Sequence, residues 1–267
     1  MKKLLMPLVV AAAMMSAAAC GGSDEAKPPA VGQSSTPPTT VATATTATAL
    51  SQTDFVSKVQ AAMLAKSTFH SVTTMTDEDG PLTYTSDVKV ASGGTDVSVV
   101  SSDGSSARRI GGTFYGKGDG ITDTPAKPWK AWNPKAASKD PMAPLTGALM
   151  KILTVPALTH EFLAGTAYAT KFSSAAGPTV DGVPTTAYTI TIDAAKAAAG
   201  KAFGEYLTPD VVAEEKLKVI PVTVLVGDDS LPRKLDFTFG TSTISTLYTK
   251  FGDPVTVAAP ATAQIDA

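Results

Sequence analysis

Hydrophobic and polar positions along this chain fall into three textures. Residues 4–15 are an apolar run broken only by Pro7. Residues 21–50 carry almost no bulky apolar side chain. From residue 51 the apolar positions become periodic, and the period changes along the chain. Phe55, Val59, Ala62 and Met63 recur at helical spacing, which predicts a helix over 53–66 with Ser51 or Thr53 as its cap. The period then drops to two. Leu82, Tyr84, Val88 and Val90 alternate with Thr83, Thr85, Asp87 and Lys89, the pattern of a half-buried strand. Val97 and Val99 follow the Gly93-Gly94 turn, and short strands fit residues 107–110 and 113–116 around Gly111-Gly112. Turns this short join antiparallel strands, because parallel ones need a long crossover.

The middle of the chain reads as helical. Asp140 before Pro141 signals a helix start, and Met142, Leu145, Leu149 and Ile152 form one stripe behind it. An alanine-rich stretch over 194–207 and a helix opening at Thr208-Pro209 come later, the second with Glu214 and Lys218 spaced for an i,i+4 pair. Strands surround them: Tyr188, Ile190 and Ile192; Val222, Val224 and Val226; Leu235, Phe237 and Phe239; and residues 244–251. Asp228-Asp229-Ser230 turns one of these into the next. Helix, strand meander, helices and a second meander predict an α+β fold. Its sheet is one large, strongly bent antiparallel sheet with helices gathered on one face.

Composition sharpens the first two textures. Met1-Lys2-Lys3, the apolar run and Ala17-Ala18-Ala19 before Cys20 have the layout of a secretory signal, too short for a membrane span. Small residues leading into a cysteine resemble the bacterial lipobox, although Ala17 stands where leucine is usual. That resemblance implies a diacylglycerol-modified and further acylated (palmitate-type) Cys20, with residues 1–19 removed. Residues 20–50 are then the acylated cysteine and a Thr/Pro/Ala tether, whose side chains bury too little to offset ordering entropy. About 30 residues of random coil span on the order of 30 Å. Residues 51–267 remain as a single domain. Cys20 is the chain's one cysteine, so an exported domain has no internal disulfide and depends on burial. The net charge of −2, more negative by two once Lys2 and Lys3 are gone, offers no basic surface for nucleic acid.

Catalytic constellations are absent from the pattern. His70 and His160 are the two histidines, ninety positions apart, the first in a strand pattern and the second read as the cap of a short helix beginning at Glu161. Ser86 and Lys89 match a serine-acyltransferase spacing, yet strand alternation puts them on opposite faces, whereas that chemistry needs one helical face. Asp77-Glu78-Asp79-Gly80 lacks the oxygen spacing of a calcium loop and reads as a solvated hairpin tip. Trp129 and Trp132 end the first meander and are read as packing over the sheet, with a ligand-groove edge or a membrane-interface contact as the alternatives. Neither catalysis nor a cofactor or metal is expected.

Two further segments carry a resemblance. Val180-Asp181-Gly182-Val183-Pro184-Thr185-Thr186-Ala187-Tyr188-Thr189-Ile190 is similar to a Gly-Val-x-Thr-x-Tyr strand opening, with one extra residue before the tyrosine. Phe251-Gly252-Asp253-Pro254-Val255-Thr256-Val257-Ala258-Ala259-Pro260 resembles the closing signature of the same proteins. With the lipobox and tether, these resemble the actinobacterial LppX/LprG envelope lipoproteins, which share their architecture with the carrier LolA. The resemblance implies a half-barrel whose helices cover the concave face and enclose an apolar cavity for acylated lipid or glycolipid. Met142, Leu145, Leu149, Ile152, Leu153, Tyr188, Ile190, Val224 and Phe237 are the cavity candidates it implies. It also implies anchorage at the outer face of the cytoplasmic membrane and carriage of lipid within the envelope. The alternative is a tethered scaffold or binding module for an envelope transporter or enzyme, with a filled core and no cargo.

Overall fold

A serine starts the first helix. The Ser51 hydroxyl accepts from the Asp54 amide, and α1 (Gln52–Lys66) then buries Phe55, Val59 and Met63 at helical spacing. Ser67, left-handed at φ 62°, turns the chain into β1 (Thr68–Asp77). The computed structural model describes residues 49–122, 124–136, 143–204 and 207–266, all within the unit Ala47–Ala267. Cys20 and the tether to residue 48 therefore lie outside the described residues, as do the Asp140-Pro141 helix start and Met142.

The first meander continues through β2 (Gly80–Ala91), β3 (Gly94–Ser101), β4 (Ser106–Ile110), β5 (Thr113–Lys117) and β6 (Trp129–Trp132), each antiparallel to the one before. Then come α2 (Ala143–Thr154) and a 3₁₀ segment, Val155–Tyr168. A second meander follows: β7 (Ala169–Ala176), β8 (Thr185–Asp193), β9 (Val219–Gly227), β10 (Pro232–Phe239) and β11 (Ser242–Thr249). Two short helices, α3 (Ala194–Ala199) and α4 (Pro209–Glu214), interrupt it, and β12 (Ile265–Asp266) closes the chain.

The twelve strands make one open sheet, β12-β6-β5-β4-β3-β2-β1-β11-β10-β9-β8-β7. β12 lies parallel to β6; all other pairings are antiparallel. The two meanders join along β1 and β11, where Val72 stands opposite Leu247. β6 and β7 lie towards opposite edges, so the α2 and 3₁₀ stretch between them crosses one face of the sheet. α2 packs on β4 and β5, and the 3₁₀ segment on α1, β2 and β8. That covered face holds the core: Phe69, Val88, Val97, Tyr188, Ile190, Val224, Leu235 and Tyr248 alternate inward with period two. Each such side chain contributes about 1.5–3 kcal/mol by burial. The fold is α+β, as the pattern predicts.

Four details differ from the sequence reading. β7 has no counterpart there, because Phe172 is its one large apolar residue and an edge strand needs no inward stripe. The alanine-rich helix stops at Ala199; Lys201 and Gly204 turn left-handed at φ 55° and 58°. Glu214 and Lys218 do not share a helix, because Lys216 at φ 52° ends α4 between them. His160 lies inside the 3₁₀ segment rather than capping a helix at Glu161.

Candidate functional site

The residues that could receive a ligand follow from where the inward alternation meets the crossing segment. On β10, Phe237 and Phe239 point the same way, and Phe237 stands opposite Ile244 of β11, itself opposite Met75 of β1. Above them the 3₁₀ segment brings down Val155 and Phe162, and the turn after α3 brings Phe203. The Phe162 ring lies 5.2 Å from Phe203 and 5.6 Å from Phe237, centre to centre. These residues line a half-open pocket of about 170 Å³ whose remaining lining residue is Ser242. Seven of its eight lining residues are apolar, so water gains little there and a hydrocarbon chain much. Gly165 is required behind it, since a Cβ there would meet the Phe203 ring at 2.6 Å.

The sequence-predicted residues distribute unevenly around this pocket. Phe237 lines it. Tyr188, Ile190 and Val224 are buried in the main core instead; Tyr188 packs 4.8 Å from the Phe55 ring and its hydroxyl accepts from the Leu50 amide at 2.8 Å. Leu153 packs with Trp132 on a second cluster of Phe114, Ile121 and Met150. Leu145, Leu149 and Ile152 stand on the outer side of α2, 43%, 41% and 59% exposed. The side turned to the sheet carries Ala143, Thr146 and Met150, with Gly147 pressed against the Trp132 ring. α2 is apolar on both sides, and the bulkier stripe is the outer one, so choosing by side-chain size selects the wrong side. Phe239 shows in the sequence as the alternation partner of Phe237. Phe162 and Phe203 carry no periodic signal, since they sit on 3₁₀ and turn backbone.

A polar seam runs through the centre of the covered face. The Thr73 and Thr246 hydroxyls meet at 3.0 Å, Thr73 donates to the Pro156 carbonyl at 2.8 Å, and Tyr248 and Thr159 share a hydrogen bond of 2.9 Å. These bonds pin the crossing segment to β1 and β11. His160 beside them is 7% exposed, and burial drives its pKa down to about 4 against the opposing charge of Glu161. His70 lies on the opposite face of the sheet, with its Nδ1 2.6 Å from Asp87. Ser86 is buried while Lys89 is exposed, so they do not converge. Asp77 accepts from the Asp79 amide at the β1–β2 turn, a hairpin tip. Trp132 packs 5.6 Å from Phe114, and Trp129 lies under the Arg108 guanidinium at 4.6 Å. A groove of about 530 Å³ between Asp103, Lys117 and Asp119 is polar and open; the Ser105 amide holds the Asp103 carboxyl below its usual range. Among the described residues, no cluster of three or more His, Cys, Asp or Glu is placed to hold a metal, and no helix is long and apolar enough to cross a membrane.

No family model matches the chain, and no curated protein matches it. Its fold is similar to that of LppX. That lipoprotein, from Mycobacterium tuberculosis, aligns with a TM-score of 0.49 at 15% identity, over 78% of this chain and 98% of its own. LprF from Mycobacterium bovis aligns with a TM-score of 0.47, also at 15% identity, over 79% and 97%. MucB, in a MucA/MucB complex from Pseudomonas aeruginosa, aligns at 0.38 and 15% identity over 80% of this chain and 59% of that one.

Proposed function

We propose that this chain is a lipid-anchored protein of the cell envelope whose folded domain takes up the end of an acyl chain. In this reading residues 1–19 are removed, Cys20 is acylated at the outer face of the cytoplasmic membrane, and residues 20–50 tether the domain 51–267. The observation that supports it is the pocket walled by Met75, Phe162, Phe203 and Phe237, nearly free of polar groups. Each methylene buried there is worth about 0.8 kcal/mol. At about 170 Å³ the pocket falls below the roughly 300 Å³ of a drug-sized ligand site. It accommodates part of one chain, with the rest of an acylated lipid or glycolipid outside.

The same volume favours a second reading, a tethered binding module for an envelope transporter or enzyme, with a filled core and no lipid cargo. Uptake of a fluorescent fatty acid by the full chain carrying Cys20→Ser separates the two. Saturable uptake, lowered at least tenfold by Phe203→Trp or Ser242→Leu, is the expected result. Absent uptake, or uptake that neither substitution changes, overturns the acyl-chain reading and leaves the binding module.

A further inference from the structure

α2 turns Thr146, Gly147 and Met150 to the sheet and leaves its other face exposed. Leu145, Ala148, Leu149 and Ile152 stand there at i, i+3, i+4 and i+7, one continuous stripe about 10 Å long. Every exposed side chain described on this helix is apolar, whereas a surface helix ordinarily turns charged and polar residues outward. Three of the eight large apolar side chains exposed among the described residues fall in this one stripe. Clustered exposure of this kind marks a contact surface, while apolar residues exposed singly need no partner.

The charge around this helix differs from that of the chain. Between Pro125 and His160 the sequence places Lys127, Lys130, Lys135, Lys139 and Lys151 against a single acidic residue, Asp140, in a protein whose net charge is −2. Lys151 lies on α2 itself, its ammonium 5.3 Å from the centre of the Trp132 ring, and the same ring lies against Gly147. A lysine beside an indole at the border of an aliphatic stripe suits a lipid–water boundary. The ring and the lysine stem stay with the apolar phase, and the ammonium reaches the headgroups. A protein partner fits less well, because such contacts centre on Trp, Tyr or Arg and this stripe is wholly aliphatic.

We propose that the outer face of α2 docks on the surface of an anionic lipid bilayer. Leu145, Ala148, Leu149 and Ile152 enter the boundary between headgroups and acyl chains, while the positive charge of the segment meets the lipid phosphates. A tether of about 30 residues holds the domain within on the order of 30 Å of the membrane, which favours even a weak contact. That gain alone rests on the proposed acylation of Cys20; the stripe and its charge do not.

With a single cysteine in the chain, the test can label one position at a time. In the full chain carrying Cys20→Ser, Ala148→Cys takes a nitrobenzoxadiazole fluorophore on the stripe. Val100→Cys takes it on the opposite face of the sheet, where Val100 is 52% exposed. Vesicles of equal parts phosphatidylglycerol and phosphatidylcholine should brighten and blue-shift the label at 148 and leave the one at 100 unchanged. The apolar run at residues 4–15 is common to both proteins, so adsorption through it does not distinguish the two labels. Added to the protein labelled at 148, Leu149→Gln and Ile152→Gln should each raise the lipid needed for half the change about tenfold. Lys151→Gln should raise it about fivefold, and pure phosphatidylcholine or high salt should weaken the response. No response at 148, equal responses at 148 and 100, a response unchanged by both glutamine substitutions on the stripe, or an equal response to pure phosphatidylcholine overturns the docking face. A label at 148 that is blue-shifted without lipid, and more so at higher protein concentration, assigns the face to a second copy and overturns it too. Fatty-acid uptake is a separate measurement, so failure here leaves the acyl-chain reading standing.

Discussion

His160 gives the folded domain a measurable acid sensitivity. The unfolded chain takes up a proton on this ring below about pH 6.5, whereas the folded chain resists until about 4. Unfolding therefore binds a proton between those values, and the stability present above pH 6.5 is lost as the pH falls through 4. The full effect is on the order of 3 kcal/mol. Urea titrations at pH 7 and pH 4 should show a larger fall for the wild type than for His160→Phe; equal falls would remove the assignment. Gly147 is a second point of sensitivity. A Cβ there has nowhere to go but into the Trp132 ring, so Gly147→Ala should destabilise by about 1–3 kcal/mol despite its better helix propensity. A thermal midpoint unchanged or raised in Gly147→Ala would show that the helix and ring are not in contact. Both residues were opaque in the sequence. A histidine's burial, and a glycine's neighbour, depend on what crosses the sheet from elsewhere in the chain.

At the scale of elements, α2 is the informative case. Periodicity finds the helix but not its orientation, because both of its long faces are apolar. The structure sets Met150 inward, fully buried against Phe114 and Ile121, and Ile152 outward at 59% exposure. Met150→Ala should cost about 2–5 kcal/mol, while Ile152→Gln should stay within about 0.5 kcal/mol. Denaturant midpoints of the two variants check this, and a larger loss for Ile152→Gln would reverse the assignment of faces. The strands fared better. β2, β3, β8 and β10 each face the core on one side only, and period-two alternation reports that condition directly, while β9 alternates up to Val224 and is buried on both sides from Val224 to Gly227. β7 has solvent along its free edge and few bulky residues, so it leaves no such trace. The 3₁₀ segment carries Phe162 and His160 into two separate pockets, with a backbone period that neither the helical nor the strand template detects.

For the whole molecule, the proposed acylation of Cys20 is tested by one substitution. Cys20→Ser replaces the nucleophilic thiol with a far weaker hydroxyl, so labelling with an alkynyl fatty acid should vanish while the domain's thermal midpoint stays unchanged. Equal label on both proteins would exclude Cys20 as the acylation site. The arrangement of the sheet has a different consequence, one of timing. Within each meander neighbouring strands find each other locally, but the seam between meanders brings Thr73 to Thr246 across 173 positions of chain. Closing so long a loop carries an entropic cost of about 0.6 kcal/mol for each doubling of length, and non-local pairing of this kind slows folding. The tryptophans of β6 sit at the far end of the first meander and should regain native fluorescence before amides in β1 and β11 gain protection from exchange. Simultaneous recovery would mean that the halves do not form independently. In a chain made from its N-terminus, β1 must wait with one side bare until nearly the last strand has emerged. During that interval Phe69, Ser71 and Thr73 are held by a single neighbour, and the nascent protein is at its most vulnerable to pairing with the wrong strand.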